Sequence, residues 1–165
     1  MKIIDNFLDN KEFNKLEQNL LSTNFPWFFA QGKSYKNDGS YQFIHSFIEI
    51  GKIISKYYEL NLPILRKLNA DKIIRVKANL TLKQETNTQS PMHVDHVFKN
   101  KEKFKTAVFY LNTNNGSTLF QNGKRVHSKS NRILIFDGHQ KHCGVDCTDE
   151  GFRLVVNFNW IEKKT

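Results

Sequence analysis

The stretch RILIFDGHQKHCGVDCTDEGFRLVVNFNW, residues 132–160, carries the pattern that decides the fold class. Two apolar runs, 132–136 and 152–160, stand on either side of a polar segment. The second run alternates between two faces. One face is apolar and consists of Phe152, Leu154, Val156, Phe158 and Trp160; the other is mixed and consists of Arg153, Val155, Asn157 and Asn159. A period of two predicts a β-strand that covers a hydrophobic core on one side and lines a polar cavity on the other.

Further strand-like runs precede this stretch. They are KIIRVKANLTL (72–82), PMHVDHVF (91–98), FKTAVFYLN (104–112), STLFQ (117–121) and KRVHS (124–128). The first of them also has a mixed face, which consists of Arg75, Lys77, Asn79 and Thr81. Asn115-Gly116 and Asn122-Gly123 separate successive runs, and both dipeptides favour tight hairpins. Many short strands joined by such turns predict a sandwich or a barrel.

The first 70 residues predict supporting elements. KIIDNF (2–7) reads as a short strand. Asp9 followed by Glu12 is a capping-box pattern, which predicts a helix over about 10–22. A second helix is expected to begin at Asn61, close to Pro63. We therefore predict a mainly β protein in one domain, 1–165, with supporting strands and helices in 1–70 packed on one sheet of a β core in 71–161.

Composition narrows the classes of partner. The net charge of +9 favours an anionic partner such as nucleic acid, but all except five of the 25 basic residues are lysine. Lysine lacks the bidentate fork with which arginine recognises phosphate, so nucleic acid is the less favoured partner.

Cys143 and Cys147 lie too close in sequence for a useful disulfide, which predicts a reducing compartment. No run is long and apolar enough to span a bilayer, so we expect a cytoplasmic protein without a membrane partner.

The candidate metal ligands come from two separate segments. His93 and Asp95 are two residues apart, so they share one face of an extended chain. His142 follows the run 132–136 and precedes Arg153 by eleven residues. Two histidines and one carboxylate on one side of a metal suit non-haem iron(II) and leave three coordination positions open. An arginine inside a barrel, as expected for Arg153, needs an anionic partner.

Other interpretations of these residues remain open. His139 is an alternative to His142 as the distal ligand. His139, His142, Cys143 and Cys147 could form a zinc site, although their spacing fits none of the usual paired patterns. His96 is either an exposed histidine or a residue of the site's rim. Lys99, Lys101, Lys103 and Lys105 form either a solvated edge or a basic lip that attracts an anionic substrate.

Five segments together resemble a known family: HVD (93–95), FYLN (109–112), NNGSTLF (114–120), RILIFDGHQKHCGV (132–145) and RLVVNF (153–158). They resemble the 2-oxoglutarate/iron(II) dioxygenase superfamily, especially its prolyl-4-hydroxylase-like branch and its short bacteriophage members. The resemblance implies a double-stranded β-helix, which is a jelly-roll or cupin-like fold. It implies iron(II) held by His93, Asp95 and His142. It also implies 2-oxoglutarate contacted by Arg153, Tyr110 and Asn79, with O2 as the second co-substrate.

The resemblance also bounds the reaction. It implies hydroxylation of an amino acid, a peptide or protein, or another small molecule, with release of succinate and CO2. The collagen-type members use lysine where Arg153 stands, so no collagen-like substrate is implied. Two alternatives stay open: a nucleic-acid-modifying oxygenase and a catalytically silent binding member of the fold. If the chain is phage-encoded, the expected compartment is the host cytoplasm. The substrate and the oligomeric state are left undetermined by the sequence.

Overall fold

The computed structural model describes residues 1–35, 37–95 and 103–163, and strands account for most of its regular structure. In chain order the elements are β1 (Lys2–Ile4), α1 (Asn10–Leu20), β2 (Phe28–Gln31), β3 (Tyr41–Glu49), β4 (Lys52–Ile53), a 3₁₀ helix (Lys56–Asn61), α2 (Leu62–Lys67), β5 (Ala70–Leu82), β6 (Lys105–Tyr110), β7 (Ser117–Phe120), β8 (Arg125–His127), β9 (Arg132–Asp137), β10 (His142–Val145) and β11 (Phe152–Glu162).

The strands form two antiparallel sheets. In the major sheet the order is β1-β9-β6-β11-β5-β3-β2, and β4 pairs with β3; the minor sheet has the order β10-β7-β8. From β6 onward the chain passes to the minor sheet for β7 and β8, returns for β9, crosses again for β10 and returns for β11. This alternation between two sheets is the winding of a jelly roll, so the predicted double-stranded β-helix is confirmed. The division into 1–70 and 71–161 stays a prediction, and β1 to β3 extend the same sheet as β5.

The hydrophobic core lies between the major sheet and the helices, as predicted. Its buried members include Leu154, Val156 and Phe158 of β11, Phe13, Leu16 and Leu20 of α1, and Ile64 of α2. Asp9 caps α1, since its carboxylate accepts a hydrogen bond of 2.8 Å from the backbone N–H of Glu12. Neither helix in the part of the chain that the structure describes is long and apolar enough to cross a membrane.

The two Asn-Gly turns differ from each other. Asn122-Gly123 joins β7 to β8 as a hairpin, and Gly123 adopts the positive φ of 84° that this turn requires. The hairpin predicted at Asn115-Gly116 is wrong, because β6 and β7 lie in different sheets. Gly116 serves close packing instead. A Cβ there would lie 2.7 Å from Cδ of Arg153 and 2.8 Å from the carbonyl oxygen of Val145.

The regular strand predicted over 91–98 is not found in its described part, 91–95. His93 forms an isolated antiparallel bridge with His142, and Gln89 forms another with Val145. Pro91 lies between the two bridges and has no backbone N–H to continue a ladder. Residues 96–102, and with them His96, Lys99 and Lys101, lie outside the described residues.

Candidate metal centre

His93, Asp95 and His142 converge in the lining of a cavity between the two sheets. The ligand atoms that they offer all lie within 4.8 Å of one another. Oδ1 of Asp95 is 3.5 Å from Nε2 of His93 and 3.8 Å from Nε2 of His142. The two histidines exchange backbone hydrogen bonds of 2.9 and 3.0 Å, so their rings stand side by side with centroids 4.9 Å apart. Among the described residues no other group of three potential ligands is assembled in this way.

Backbone carbonyl groups set the orientation of both imidazole rings. Nδ1 of His93 lies 3.0 Å from the carbonyl oxygen of Pro91, and Nδ1 of His142 lies 3.0 Å from that of Gln140. A carbonyl oxygen only accepts hydrogen bonds, so each Nδ1 carries the proton. The lone pair of each neutral ring is therefore on Nε2, which faces Asp95. Metal-binding histidines are typically oriented by such a contact from the non-ligating nitrogen.

Asp95 is buried and ionised. Its side chain is 3% exposed, and Nη2 of Arg75 lies 3.1 Å from Oδ1. Asn159 donates a hydrogen bond of 3.0 Å from Nδ2 to Oδ2. Burial alone would raise the pKa of Asp95, but Arg75, the hydrogen bond with His93, His142 and the amide of Asn159 outweigh it and hold the pKa well below its usual range. The sequence did not single out Arg75 or Asn159 as site residues; their inward positions on β5 and β11 were the available signal.

The two histidines differ in their response to burial. Burial lowers the pKa of His142, and the nearby Asp95 carboxylate offsets this only in part. Burial also acts to lower the pKa of His93, but the Asp95 carboxylate, which can accept from Nε2 only when the ring is protonated, and the Pro91 carbonyl raise it above the ordinary value. Two imidazoles and one ionised carboxylate, all on one side of an open cavity, form a donor set that fits non-haem iron(II).

The cavity beside the triad has a volume of about 130 Å³. Its lining from β5 and β11 includes Asn79, Thr81, Arg153, Val155 and Asn157. These residues belong to the mixed faces of the two strands, so the prediction that these faces line a polar cavity is confirmed. The apolar faces of the same strands pack against the helices.

Arg153 brings an uncompensated positive charge into this cavity. It is 6% exposed, and its Nε donates a hydrogen bond of 3.1 Å to Oγ of Ser128. No carboxylate oxygen of the described residues lies within 4.0 Å of its guanidinium. Its Nη1 is 3.7 Å from the point where a Cβ of Gly144 would lie. Gly144 and His142 are two residues apart on β10, a spacing of about 6.6 Å along a strand.

Tyr110 and Asn79 occupy different positions relative to the cavity. The Tyr110 ring packs 5.7 Å from the guanidinium carbon of Arg153, and its buried hydroxyl donates a hydrogen bond of 2.7 Å to Oγ1 of Thr118. Asn79 lines the cavity and donates from Nδ2 to the backbone oxygen of Lys77 at 3.3 Å. Co-substrate contacts from these two residues stay predictions.

The alternative ligands lie elsewhere. The His139 ring packs edge-on against Phe104, with centroids 5.1 Å apart, and His139 is not part of the metal-binding group. Cys143 and Cys147 are buried free thiols. In the described ranges no group of potential ligands joins these cysteines to a histidine, so the zinc interpretation gains no support.

A segment that the sequence left without a role, residues 32–35, contacts the segment that carries His93. Oγ of Ser34 donates to the carbonyl oxygen of Pro91 at 2.7 Å, and the hydroxyl of Tyr35 donates to that of Met92 at 3.0 Å. Lys33 forms an ion pair of 2.5 Å with Asp146, which follows β10 directly. These contacts fix the backbone on both sides of the metal-binding group.

Solved structures resemble this one, whereas no family model matches the sequence and no curated protein matches it significantly. A prolyl-4-hydroxylase from Pseudomonas putida is 14% identical and matches over 99% of this chain and 92% of its own, with a TM-score of 0.62. A 2OG-Fe(II) oxygenase family oxidoreductase from Burkholderia pseudomallei is 13% identical over 96% and 84%, with a TM-score of 0.65. HygX from Streptomyces hygroscopicus, solved with nickel and 2-oxoglutarate bound, is 10% identical over 98% and 82%, with a TM-score of 0.63. The chain therefore has the fold of the 2-oxoglutarate/iron(II) oxygenase structures.

Proposed function

We propose that this protein is an iron(II)- and 2-oxoglutarate-dependent oxygenase. It hydroxylates an amino acid, a peptide or protein, or another small molecule, and it releases succinate and CO2. His93, Asp95 and His142 hold the iron. The observation that carries the proposal is their convergence in the lining of a cavity to which Arg153 brings a buried charge without a carboxylate partner.

Arg153 binds the distal carboxylate of 2-oxoglutarate in this proposal. A guanidinium presents two parallel N–H groups that match a carboxylate, and the contact is stronger in a site that excludes water. The hydrogen bond from Nε to Ser128 and the Tyr110 ring fix the side chain, so little conformational freedom is lost on binding. An anion also relieves the desolvation cost that the unpaired guanidinium imposes on the folded protein.

Two polar side chains of adjacent strands, Asn159 and Arg75, contact the Asp95 carboxylate, and a third, Thr106, holds Asn159. Asn159 donates to Oδ2 of Asp95 and also approaches Oγ1 of Thr106 at 3.0 Å. Nε of Arg75 donates to Oδ1 of Asn159 at 3.0 Å. Because Oδ2 is held in this way, Oδ1 is directed toward the two Nε2 atoms. Iron held there would supply the chemistry that activates O2, with one oxygen atom going to the substrate and the other to the succinate formed from 2-oxoglutarate, and the protein positions the reactants and shields them from water.

The reaction is tested by mass spectrometry. Purified protein is incubated in air with iron(II), 2-oxoglutarate and a cell extract, and succinate is quantified while the extract is searched for mass gains of one oxygen atom. We expect succinate to form only when both iron(II) and 2-oxoglutarate are present and to be lost in Asp95→Ala. Succinate formation that persists in Asp95→Ala at the wild-type rate would exclude this site as its source.

A second candidate is an oxygenase that modifies nucleic acid, which the net charge of +9 favours. The two candidates share the metal site and differ in the substrate that stimulates turnover. The comparison is succinate formation in the presence of single-stranded oligonucleotides, proline-containing peptides or free amino acids, at one salt concentration. Stimulation by oligonucleotides alone would favour the second candidate.

A further inference from the structure

A second cation without a carboxylate partner lies in the same cavity. Across the described residues, the lining contains four cationic side chains: Lys33, Arg75, Lys77 and Arg153. Lys33 is paired with Asp146 at 2.5 Å and Arg75 with Asp95 at 3.1 Å. For Lys77, as for Arg153, no described carboxylate oxygen lies within 4.0 Å. The proposed function uses Arg153 and leaves Lys77 unexplained.

The surroundings of Lys77 disfavour its charge. Burial lowers its pKa to about 8, Arg75 adds to this effect, and Asp95 and Glu49 oppose it only in part. At neutral pH most of the side chain is nevertheless protonated. A desolvated ammonium without a partner makes the folded state less stable than an apolar side chain of similar size would. Such residues in clefts are therefore candidates for binding roles.

Two buried polar atoms without partners accompany the two unpaired cations. In the register of β5 and β11, Asn157 is directly opposite Lys77, and Thr81 is directly opposite Arg153. Oδ1 of Asn157 and Oγ1 of Thr81 are both buried and have no hydrogen-bond partner. Cβ atoms of directly opposite residues are about 4.5–5.5 Å apart. Each residue that carries an unpaired cation is thus opposite a residue with an unsatisfied buried polar atom, and the cavity has two incompletely satisfied polar positions.

We propose that Lys77 and the Nδ2 amide group of Asn157, which can donate to an anion as Oδ1 cannot, form a second anion-binding position in this cavity, which takes a carboxylate group other than the one held by Arg153. The inference rests on the proposed function and extends it to the class of substrate. Iron(II) and 2-oxoglutarate carry equal and opposite charges. The loaded cavity therefore keeps four cationic side chains against two carboxylates, Asp95 and Asp146, among the described residues. This surplus favours a primary substrate that carries a carboxylate; the other source is the metal-proximal carboxylate of 2-oxoglutarate itself.

The first experiment uses protein loaded anaerobically with iron(II) and 2-oxoglutarate, so that Arg153 is already occupied. Acetate and its neutral analogue acetamide are titrated at constant ionic strength and followed by calorimetry. We expect acetate to bind at least about tenfold more tightly than acetamide. Lys77→Met should abolish this preference and Lys77→Arg should retain it. The matched control is Lys72→Met, because Lys72 is an exposed lysine on the same strand.

A parallel titration with 2-oxoglutarate shows whether the carboxylate at the second position belongs to the primary substrate or to 2-oxoglutarate. If Lys77→Met weakens 2-oxoglutarate binding about tenfold or more while acetate does not bind to the loaded wild-type protein, the second position holds the co-substrate's own metal-proximal carboxylate. If Lys77→Met leaves both 2-oxoglutarate binding and the acetate preference at the wild-type values, the proposal is overturned. Unfolding of Lys77→Met, followed by circular dichroism, checks that the variant is folded.

An acetate titration of metal-free protein tests this inference separately from the proposed function. Arg153→Gln protein without iron lacks the other unpaired cation, so acetate binding then reports on Lys77. We expect the double variant Arg153→Gln/Lys77→Met to bind acetate at least about tenfold more weakly than Arg153→Gln alone. Equal affinities would overturn the second anion position even if the protein is an oxygenase. A difference without any iron-dependent succinate formation would retain the position and reject the proposed function.

Discussion

Arg153 is the residue whose removal should separate co-substrate binding from metal binding. Its guanidinium is buried, and its Nη1 lies beside Gly144, which is two residues after the candidate ligand His142 on β10. Because Arg153 is not itself one of the candidate ligands, Arg153→Ala should leave iron affinity near the wild-type value. Loss of one side of a buried charge-assisted contact costs about 2–5 kcal/mol, which is more than a tenfold change in 2-oxoglutarate affinity. Calorimetric titration of both ligands measures the two effects. Arg66→Ala, at an exposed position, is the control. Unchanged 2-oxoglutarate affinity in Arg153→Ala would show that another residue anchors the carboxylate.

The lowered pKa of Lys77 predicts how stability should depend on pH. Its pKa is about 8 in the folded protein, below the ordinary value of 10.5, so the unfolded chain binds more protons between these two pH values. The contribution of Lys77 therefore increases the free energy of unfolding of the wild type as the pH rises from about 8 to 10.5. We expect metal-free Lys77→Met to be more stable than the wild type at pH 7 and this advantage to shrink between pH 8 and 10.5. Urea unfolding at a series of pH values measures the difference, and an advantage that grows with pH would contradict the assignment.

Among the elements, the connection from β6 to β7 has a steric requirement that bears directly on Arg153. A Cβ on Gly116 would lie 2.7 Å from Cδ of Arg153 and from Oδ1 of Asn114. Gly116→Ala should therefore displace Arg153 and destabilise the protein by about 1–3 kcal/mol, with weaker 2-oxoglutarate binding. Gly151→Ala is the matched control, because a Cβ there meets nothing within 4 Å. Thermal unfolding and a 2-oxoglutarate titration measure both effects. Equal behaviour of the two variants would show that the connection can relax around the added methyl group.

Alternation within single strands was the part of the structure that the sequence predicted well. It assigned Arg153 and Asn79 to a cavity-facing side and Leu154 and Val156 to the core, because a period of two depends only on local backbone geometry. The pairing of Asp95 with Arg75 was not predictable in the same way, since it depends on how the segment after Pro91 crosses β5. Such a contact is set by tertiary packing and leaves no local pattern.

The two Asn-Gly dipeptides predicted one hairpin correctly and one incorrectly, because turn chemistry is also only a local signal. Asn-Gly favours a tight turn wherever it occurs, but the dipeptide does not specify whether the next strand joins the same sheet. At Asn122-Gly123 the strands pair, whereas after Asn115-Gly116 the chain crosses to the minor sheet. Likewise, the HVD motif indicated metal ligands without indicating that its segment would form isolated bridges instead of a strand.

At the scale of the whole molecule, the net charge of +9 should produce nucleic-acid binding that is weak and not coupled to turnover. Contacts between lysine and phosphate release counterions, so binding should weaken steeply as salt rises. A productive site usually adds arginines and stacking aromatic side chains, whereas 99–105 has no arginine and its one aromatic residue, Phe104, is buried. Fluorescence anisotropy with a single-stranded oligonucleotide, measured alongside succinate formation, checks this. Turnover that rises with oligonucleotide, and loses that rise in the triple variant Lys99→Gln/Lys101→Gln/Lys103→Gln, would reverse the preference between the two candidate functions.

The fold explains why the ligand set is assembled from distant parts of the chain. His93 precedes β6 and His142 begins β10, and the jelly-roll winding brings them into one backbone-paired bridge. Arg153 enters from β11 in the opposite sheet. Packing of the two sheets therefore brings the candidate metal ligands and Arg153 to the lining of one cavity.

The central claim, that His93, Asp95 and His142 bind iron(II) beside a 2-oxoglutarate site, is tested most directly by anaerobic absorption spectroscopy. Wild-type protein with iron(II) and 2-oxoglutarate should develop a weak visible charge-transfer band. His93→Ala, Asp95→Ala and His142→Ala should each abolish the band, whereas the matched control His139→Ala should retain it, because His139 packs on Phe104 outside the metal-binding group. A band that survives His142→Ala and disappears in His139→Ala would contradict the account.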